Sequence, residues 1–239
     1  MDKQVSYLEL ISLGDKGFGD LLLAGAWLTI QLSVCSYIIG GLLGLVGAAG
    51  KLSSNRLAVR IADLYTTIVR AVPELLLIII IFYTGTSTLN QLLVSFGIEN
   101  IQISGFAAGV AALSFILGAY MTEVYRGAIL AVPKGQMEAA RAFGMPLSLR
   151  FRRILFPLMI RYALPGLGNL WLVVIKDSSL VSVVGLYELL FSGKQAAATT
   201  RHYFFFYTMT ALGFLLITVA SNIGTYFVER RVNRGVRRA

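Results

Sequence analysis

Asp177 lies in the run Lys176-Asp177-Ser178-Ser179-Leu180, inside a largely apolar stretch, and is the acid best placed to bind a cation. A carboxylate away from water is costly, so one that persists there marks a binding or pairing site. It can neutralise an ammonium or guanidinium through a charge-assisted hydrogen bond, with Ser178, Ser179 and Ser182 supplying polar groups close by. An internal arrangement of Lys176, Asp177 and a neighbouring helix accounts for the same residues, and both readings stand at this level. Glu123 precedes Arg126 by one helical turn, so a screened ion pair explains it as well as contact with a solute does. Arg70 and Glu74 flank Pro73, and pairing across that break is favoured over a direct role for Glu74. Catalytic chemistry has no comparable candidates. Cys35 and His202 are each the only residue of their type. No convergent cluster offers a metal centre or a nucleophile with its base.

The elements that carry these residues are membrane spans. Of 239 residues, 56% are hydrophobic and 14% charged, with mean hydropathy +0.74, far from soluble composition. A helix crossing a hydrocarbon core needs roughly 20 apolar residues. Five such spans are predicted, at about 21–50, 74–93, 105–125, 162–184 and 203–228, within one transmembrane domain over 1–239. With the fourth starting near Tyr162, Asp177 sits about 22 Å along it. Asp2, Lys3, Glu9, Asp15, Lys16 and Asp20 precede the first span, which therefore lacks the basic start of a cleaved signal peptide.

Basic residues set the expected orientation. Sixteen Lys and Arg fall after spans one, three and five, from Lys51, Arg56, Arg60 and Arg70 to the tail Arg230, Arg231, Arg234, Arg237 and Arg238. Four, Lys3, Lys16, Lys194 and Arg201, fall on the other side. This places the N-terminus in the periplasm and the C-terminus in the cytoplasm. Anionic lipid beside the span ends accounts for the net charge of +9, so nucleic acid is not an expected partner.

Within this frame, Gly40, Gly41, Gly44, Gly47 and Gly50 give span one a face that another helix backbone can approach closely. Between Ser53 and Val69, Leu57, Ile61, Leu64, Tyr65 and Ile68 recur at helical spacing, which predicts an amphipathic helix capped by Ser53 or Ser54. Pro73 breaks that helix. The aliphatic run from Leu75 to Ile81, Leu77 included, reads as gate or packing surface, and Pro165, Gly166 and Gly168 as a loosened part of span four. Asn100 to Ser104 reads as a short external loop.

The cytoplasmic segment of about 127–161 is long but patterned, which argues for an ordered docking element. A short helix is expected from Gly135 to Gly144, with Glu138 early, Ala139 and Ala140 as a face of little bulk, Phe143 as an aromatic anchor and Gly144 as the stop. Pro146 opens the next helix.

Glu138, Ala139, Ala140 and Gly144, followed after nine residues by Ile154 and then Pro157, resemble the EAA loop of permease subunits in ATP-binding-cassette (ABC) importers. Phe156 stands where that family usually has Leu. Further similarity comes from Arg70-Ala71-Val72-Pro73, Gly118-Ala119-Tyr120, Glu123, Arg126-Gly127-Ala128, Val132-Pro133-Lys134-Gly135, Ala163-Leu164-Pro165 and Lys176-Asp177-Ser178-Ser179-Leu180. These look like the polar amino acid branch, and within it the Q-type subunit of histidine, lysine/arginine/ornithine and opine permeases.

The resemblance implies an all-α membrane protein of the bacterial inner membrane, with five transmembrane helices in the MetI-like ABC importer permease fold. It implies that the chain is not an enzyme and carries no cofactor, ATP and Mg belonging to a partner ATPase dimer. The other implied partners are a second permease subunit, in a heterodimer rather than a homodimer, and a periplasmic solute-binding protein. The EAA loop would fit the ATPase, while Asp177, Ser178, Ser179, Glu123 and Glu74 are candidates for the solute, and Pro73, Leu77, Pro165 and Gly166 for helix breaks or gates. Relatives often carry Gln where this chain has Leu77. A secondary transporter or channel for a small polar solute shares the hydropathy, but not the Glu-Ala-Ala and Gly spacing.

Overall fold

The computed structural model describes residues 7–14, 17–97 and 103–232. Asp2, Lys3, Asp15, Lys16, most of the expected loop at Asn100 to Ser104, and Arg234, Arg237 and Arg238 lie outside the described residues. All elements among the described residues are helical: α1 (Tyr7–Leu10), α2 (Gly19–Lys51), α3 (Arg56–Ala71), α4 (Glu74–Ile79), α5 (Thr86–Ser95), α6 (Gly105–Leu130), α7 (Lys134–Ala142), α8 (Leu147–Arg150), α9 (Phe156–Asp177), α10 (Leu189–Thr200) and α11 (Tyr203–Val232). Two π-helical segments, Ile80–Gly85 and Phe151–Leu155, join α4 to α5 and α8 to α9, and a 3₁₀ segment, Ser178–Val184, follows α9. Among the described residues, five continuous helices are long and apolar enough to cross a membrane: Gly19–Lys51, Glu74–Ser95, Gly105–Leu130, Leu147–Val184 and Tyr203–Val232. The fourth begins at Leu147, well before the expected Tyr162, because Pro146 caps a helix that then runs through without interruption.

The described residues form two compact units, one falling within 37–74, 114–173 and 220–239, the other within 1–36, 75–113 and 174–219. In the first, the glycines of α2 let its backbone meet α6. A Cβ on Gly44 would come within 2.6 Å of the Met121 Cβ, and one on Gly40 within 3.1 Å of the Leu117 Cβ. Residues with little side chain give this contact its area without a hydrophobic driving force, as membrane helices require. α3 is capped by Asn55, whose side chain accepts from the Leu57 N–H at 2.9 Å; Ser53, one of the two expected caps, instead accepts from the Asn55 N–H at 3.1 Å. Asn at this position reaches the second helical N–H, which leaves Ser53 to tighten the turn before it.

The faces of α3 are arranged for a bilayer. Ala62, Thr66 and Val69 are buried, while Leu57, Ile61, Leu64 and Ile68 are exposed. Small residues pack inward and large aliphatic ones turn outward because lipid tails are as apolar as they are. The helix ends at Ala71 and the chain turns at Pro73, as its missing N–H demands. Arg70 does not bridge the break to Glu74; its guanidinium lies over the Tyr120 ring at 5.7 Å, a cation–π contact. α9 continues through Pro165, and Gly166 does not loosen it. A Cβ on Gly166 would meet the Val124 Cγ1 at 2.9 Å, so the glycine admits α6. Neighbouring helices hold a proline-containing span in shape.

In the second unit, α10 has no counterpart in the five predicted spans. Leu189, Ser192, Gly193, Ala196 and Ala197 are buried along it. A Cβ on Gly25 would reach the Leu189 Cα at 3.0 Å, and α10 joins Leu10 and Phe206 in a small apolar cluster. Leu77 is buried. The π segment before α5 coincides with Thr86, whose hydroxyl donates to the Phe82 carbonyl and so competes with the regular ladder.

Candidate functional site

Pro133 precedes α7, and Gly144 ends it in the left-handed conformation at φ +70°. The Met145 N–H donates to the Ala140 carbonyl at 3.1 Å and the Gly144 N–H to the Arg141 carbonyl at 3.0 Å. This pair of bonds is a Schellman stop. A Cβ at Gly144 would meet no atom within 4 Å, so the requirement there is conformational, not spatial. α7 packs on α8 and the π segment that follows it. Of the pair expected to form a bare face, Ala140 is buried and Ala139 is exposed together with Glu138. Phe143 is 86% exposed, a large ring held up by a short, well-capped helix.

The expected connector of 127–161 is mostly helical, since α6 runs on to Leu130 and helix resumes at Leu147. Ile154 is half-buried within the π segment and Pro157 exposed just beyond it. Pro157 has no N–H for the carbonyl of Arg153 and its ring crowds that carbonyl; the wider π turn before it relieves both.

Asp177 is half-buried at the last position of α9, where the winding tightens to 3₁₀ for the seven residues Ser178–Val184. At three residues per turn Ser178, Val181 and Val184 fall on one face, and all three are buried. Gly185, at φ +88°, ends the segment. The Ser178 hydroxyl donates to the Ile175 carbonyl at 2.7 Å and the Ser179 hydroxyl to the Lys176 carbonyl at 2.6 Å. With its proton committed to backbone, the half-buried Ser179 oxygen is left to accept, which suits a ligand rich in N–H, whereas the Ser178 hydroxyl is fully buried.

Glu123 is joined by partners that sequence spacing did not reveal. Its Oε2 accepts from the Arg126 Nε at 2.9 Å, the anticipated pair, while its Oε1 contacts the Lys51 Nζ. Lys51 also reaches the Asp63 Oδ1 at 2.8 Å. The visible signal was Lys51 itself, the first charge after the uncharged stretch of span one. Glu74 is half-buried at the start of α4, and Pro73 is exposed beside it.

Glu188, also missed, is fully buried at the start of α10. Its carboxylate accepts from the Leu190 and Phe191 N–H groups at 2.9 and 2.8 Å, and the Thr29 hydroxyl faces it at 3.4 Å. Burial pushes its pKa above the ordinary carboxylate value, against the lowering effect of those hydrogen bonds. The folded form therefore favours the protonated acid. Its stabilising contribution is complete below the unfolded carboxyl value of about 4.3 and is lost as pH rises through the raised folded value. Thermal unfolding of the detergent-solubilised protein should show a midpoint falling as pH rises above about 4.3, and a flatter profile for Glu188→Gln. Equal slopes would show that Glu188 does not titrate in this way.

Residues 40–234 match the family described as binding-protein-dependent transport system inner membrane component. The chain is similar to the histidine/lysine/arginine/ornithine transport system permease protein of Escherichia coli, at 44% identity over 93% of this chain and 98% of that one. Similarity to the nopaline transport system permease protein of Agrobacterium fabrum is 45% over 96% and 98% of the two chains. Among solved structures, an amino acid ABC transporter crystallised with histidines aligns at TM-score 0.78 and 31% identity, covering 95% of this chain and 99% of that chain.

Proposed function

This chain belongs to the family of binding-protein-dependent transport system inner membrane components, and we propose that it imports polar, basic amino acids or opine-like derivatives from periplasm to cytoplasm. The observation that carries the proposal is α7, a capped helix that buries Ala140 and presents Glu138, Ala139 and Phe143 outward. An exposed aromatic on a rigid helix suits insertion into a cleft of an ATPase subunit, with Glu138 accepting hydrogen bonds there. In this reading the N-terminus is periplasmic, ATP and Mg are bound by an ATPase dimer, and a second permease subunit of different sequence completes the pathway. A periplasmic binding protein delivers the solute.

Closure of the ATPases moves α7, and α7 packs on the start of the continuous helix that carries Asp177. Asp177 is the proposed counter-ion for the cationic side chain or α-ammonium, with Ser178 and Ser179 beside it. The relatives' transport of basic amino acids and nopaline supports this choice of solute. Glu123, with both carboxylate oxygens engaged by cations, is assigned to the scaffold, and Glu74 remains a solute candidate.

Reconstitution of the purified complex in proteoliposomes tests the reading. Arginine or histidine should accumulate against a gradient with ATP and binding protein, and should not with the permease alone. Downhill movement by the chain alone, indifferent to ATPase, would instead establish a secondary transporter or channel.

A further inference from the structure

Four charged side chains meet where α2, α3 and α6 converge. Lys51, the last residue of α2, has a side chain only 9% exposed and lies between Asp63 of α3 at 2.8 Å and Glu123 of α6. Glu123 in turn holds Arg126, one turn along α6, at 2.9 Å. Two acids and two bases make the group neutral, so the charges compensate one another within it. Removing Lys51 would leave the carboxylates of Asp63 on α3 and Glu123 on α6 without the cation between them.

The location gives this group its meaning. α6 ends four residues after Arg126, and α7 begins after three intervening residues. A push on α7 therefore has two covalent outlets: back into α6, or forward into α8 and the helix that ends at Asp177. The first outlet is anchored. Close packing through Gly40, Gly44 and Gly47 fixes α6 against α2, and the ion group ties the same region to α3. The second outlet contains a π turn at Phe151–Leu155, where the ladder is already irregular.

We propose that Lys51, Asp63, Glu123 and Arg126 form a clamp that locks α6 to α2 and α3, so that movement of α7 is delivered through a rigid block to the solute-bearing helix, which packs on α6 at Gly166. They are positioning residues and do not touch the solute. The proposal rests on the importer reading above. With the clamp open, α6 yields to the push and hydrolysis proceeds with less solute moved.

The test uses the whole complex in proteoliposomes, measuring arginine uptake and ATP hydrolysis together, with assembly checked by size exclusion. Lys51→Met and Glu123→Gln are each expected to lower the arginine moved per ATP by at least about fivefold, a modest coupling energy for two linked sites, with KM for arginine unchanged. The double variant should fall no further than either single one, because the two residues act as a unit. Lys51→Arg should keep the wild-type ratio. An unchanged ratio in both single variants overturns the clamp, and so does a raised KM in Glu123→Gln, which would put that carboxylate on the solute. If the single variants do not assemble, Asp63→Asn, at a half-exposed position, is expected to lower the ratio about twofold, and an unchanged ratio there overturns the clamp equally. A wild-type complex that fails to link uptake to ATP overturns the importer reading beneath it, a result distinct from any of these.

Discussion

Gly144→Val in the assembled transporter is expected to lower arginine uptake sharply while ATP hydrolysis continues. The left-handed conformation at φ +70° costs a β-branched residue about 1–3 kcal/mol. The cheapest relief is to unwind the stop of α7, which breaks the Met145 to Ala140 and Gly144 to Arg141 hydrogen bonds. Phe143 and Glu138 would then lose their fixed attitude on the helix. Because a Cβ at Gly144 meets nothing within 4 Å, the substitution introduces no clash at its first carbon with the rest of the protein. Uptake should fall by at least about tenfold, the equivalent of 1.4 kcal/mol, with the complex still assembled. Glu138→Ala should weaken coupling in the same direction without disturbing the helix stop. Normal coupling in both variants would remove α7 from the path between ATPase and permease.

Asp177→Asn is expected to impair transport of cationic solutes most. A hydrogen bond to a charged group contributes about 1.5–3 kcal/mol, so the apparent affinity for arginine should weaken by roughly 10- to 150-fold. Ser179→Ala removes a neutral acceptor and should cost about tenfold or less. Uptake by the reconstituted complex at several arginine concentrations separates the two. Unchanged affinity and rate in Asp177→Asn would take that residue out of the site.

The EAA spacing and the helix signals around it were legible because they are local. Gly144 and Pro146 each fix backbone within a residue or two, and the structure realises both. The five spans were legible for the same reason, as unbroken apolar composition. Long-range partners were not. Lys51 finds Glu123 across 72 positions and Thr29 finds Glu188 across 159, and no periodicity within either segment records the pairing. α10 escaped because it is short and built of small residues, which read as loop composition. Only its cap, Glu188 after Gly185, and the recurrence of Ser192, Gly193, Ala196 and Ala197 signal a buried helix. The change to 3₁₀ after Asp177 is likewise invisible in hydropathy, since Leu180, Val181, Val183 and Val184 suit either winding.

That tightened segment has a metric consequence. A 3₁₀ helix rises about 2.0 Å per residue and an α-helix about 1.5 Å, so rewinding the seven residues from Ser178 to Val184 into α form shortens them by about 3.5 Å. It also turns the far end of the segment through roughly 140° relative to Asp177, at about 20° per residue. The end of this span thus has a stroke and a rotation available within its own coil, on the scale of one water diameter, without any sliding of the rod as a whole.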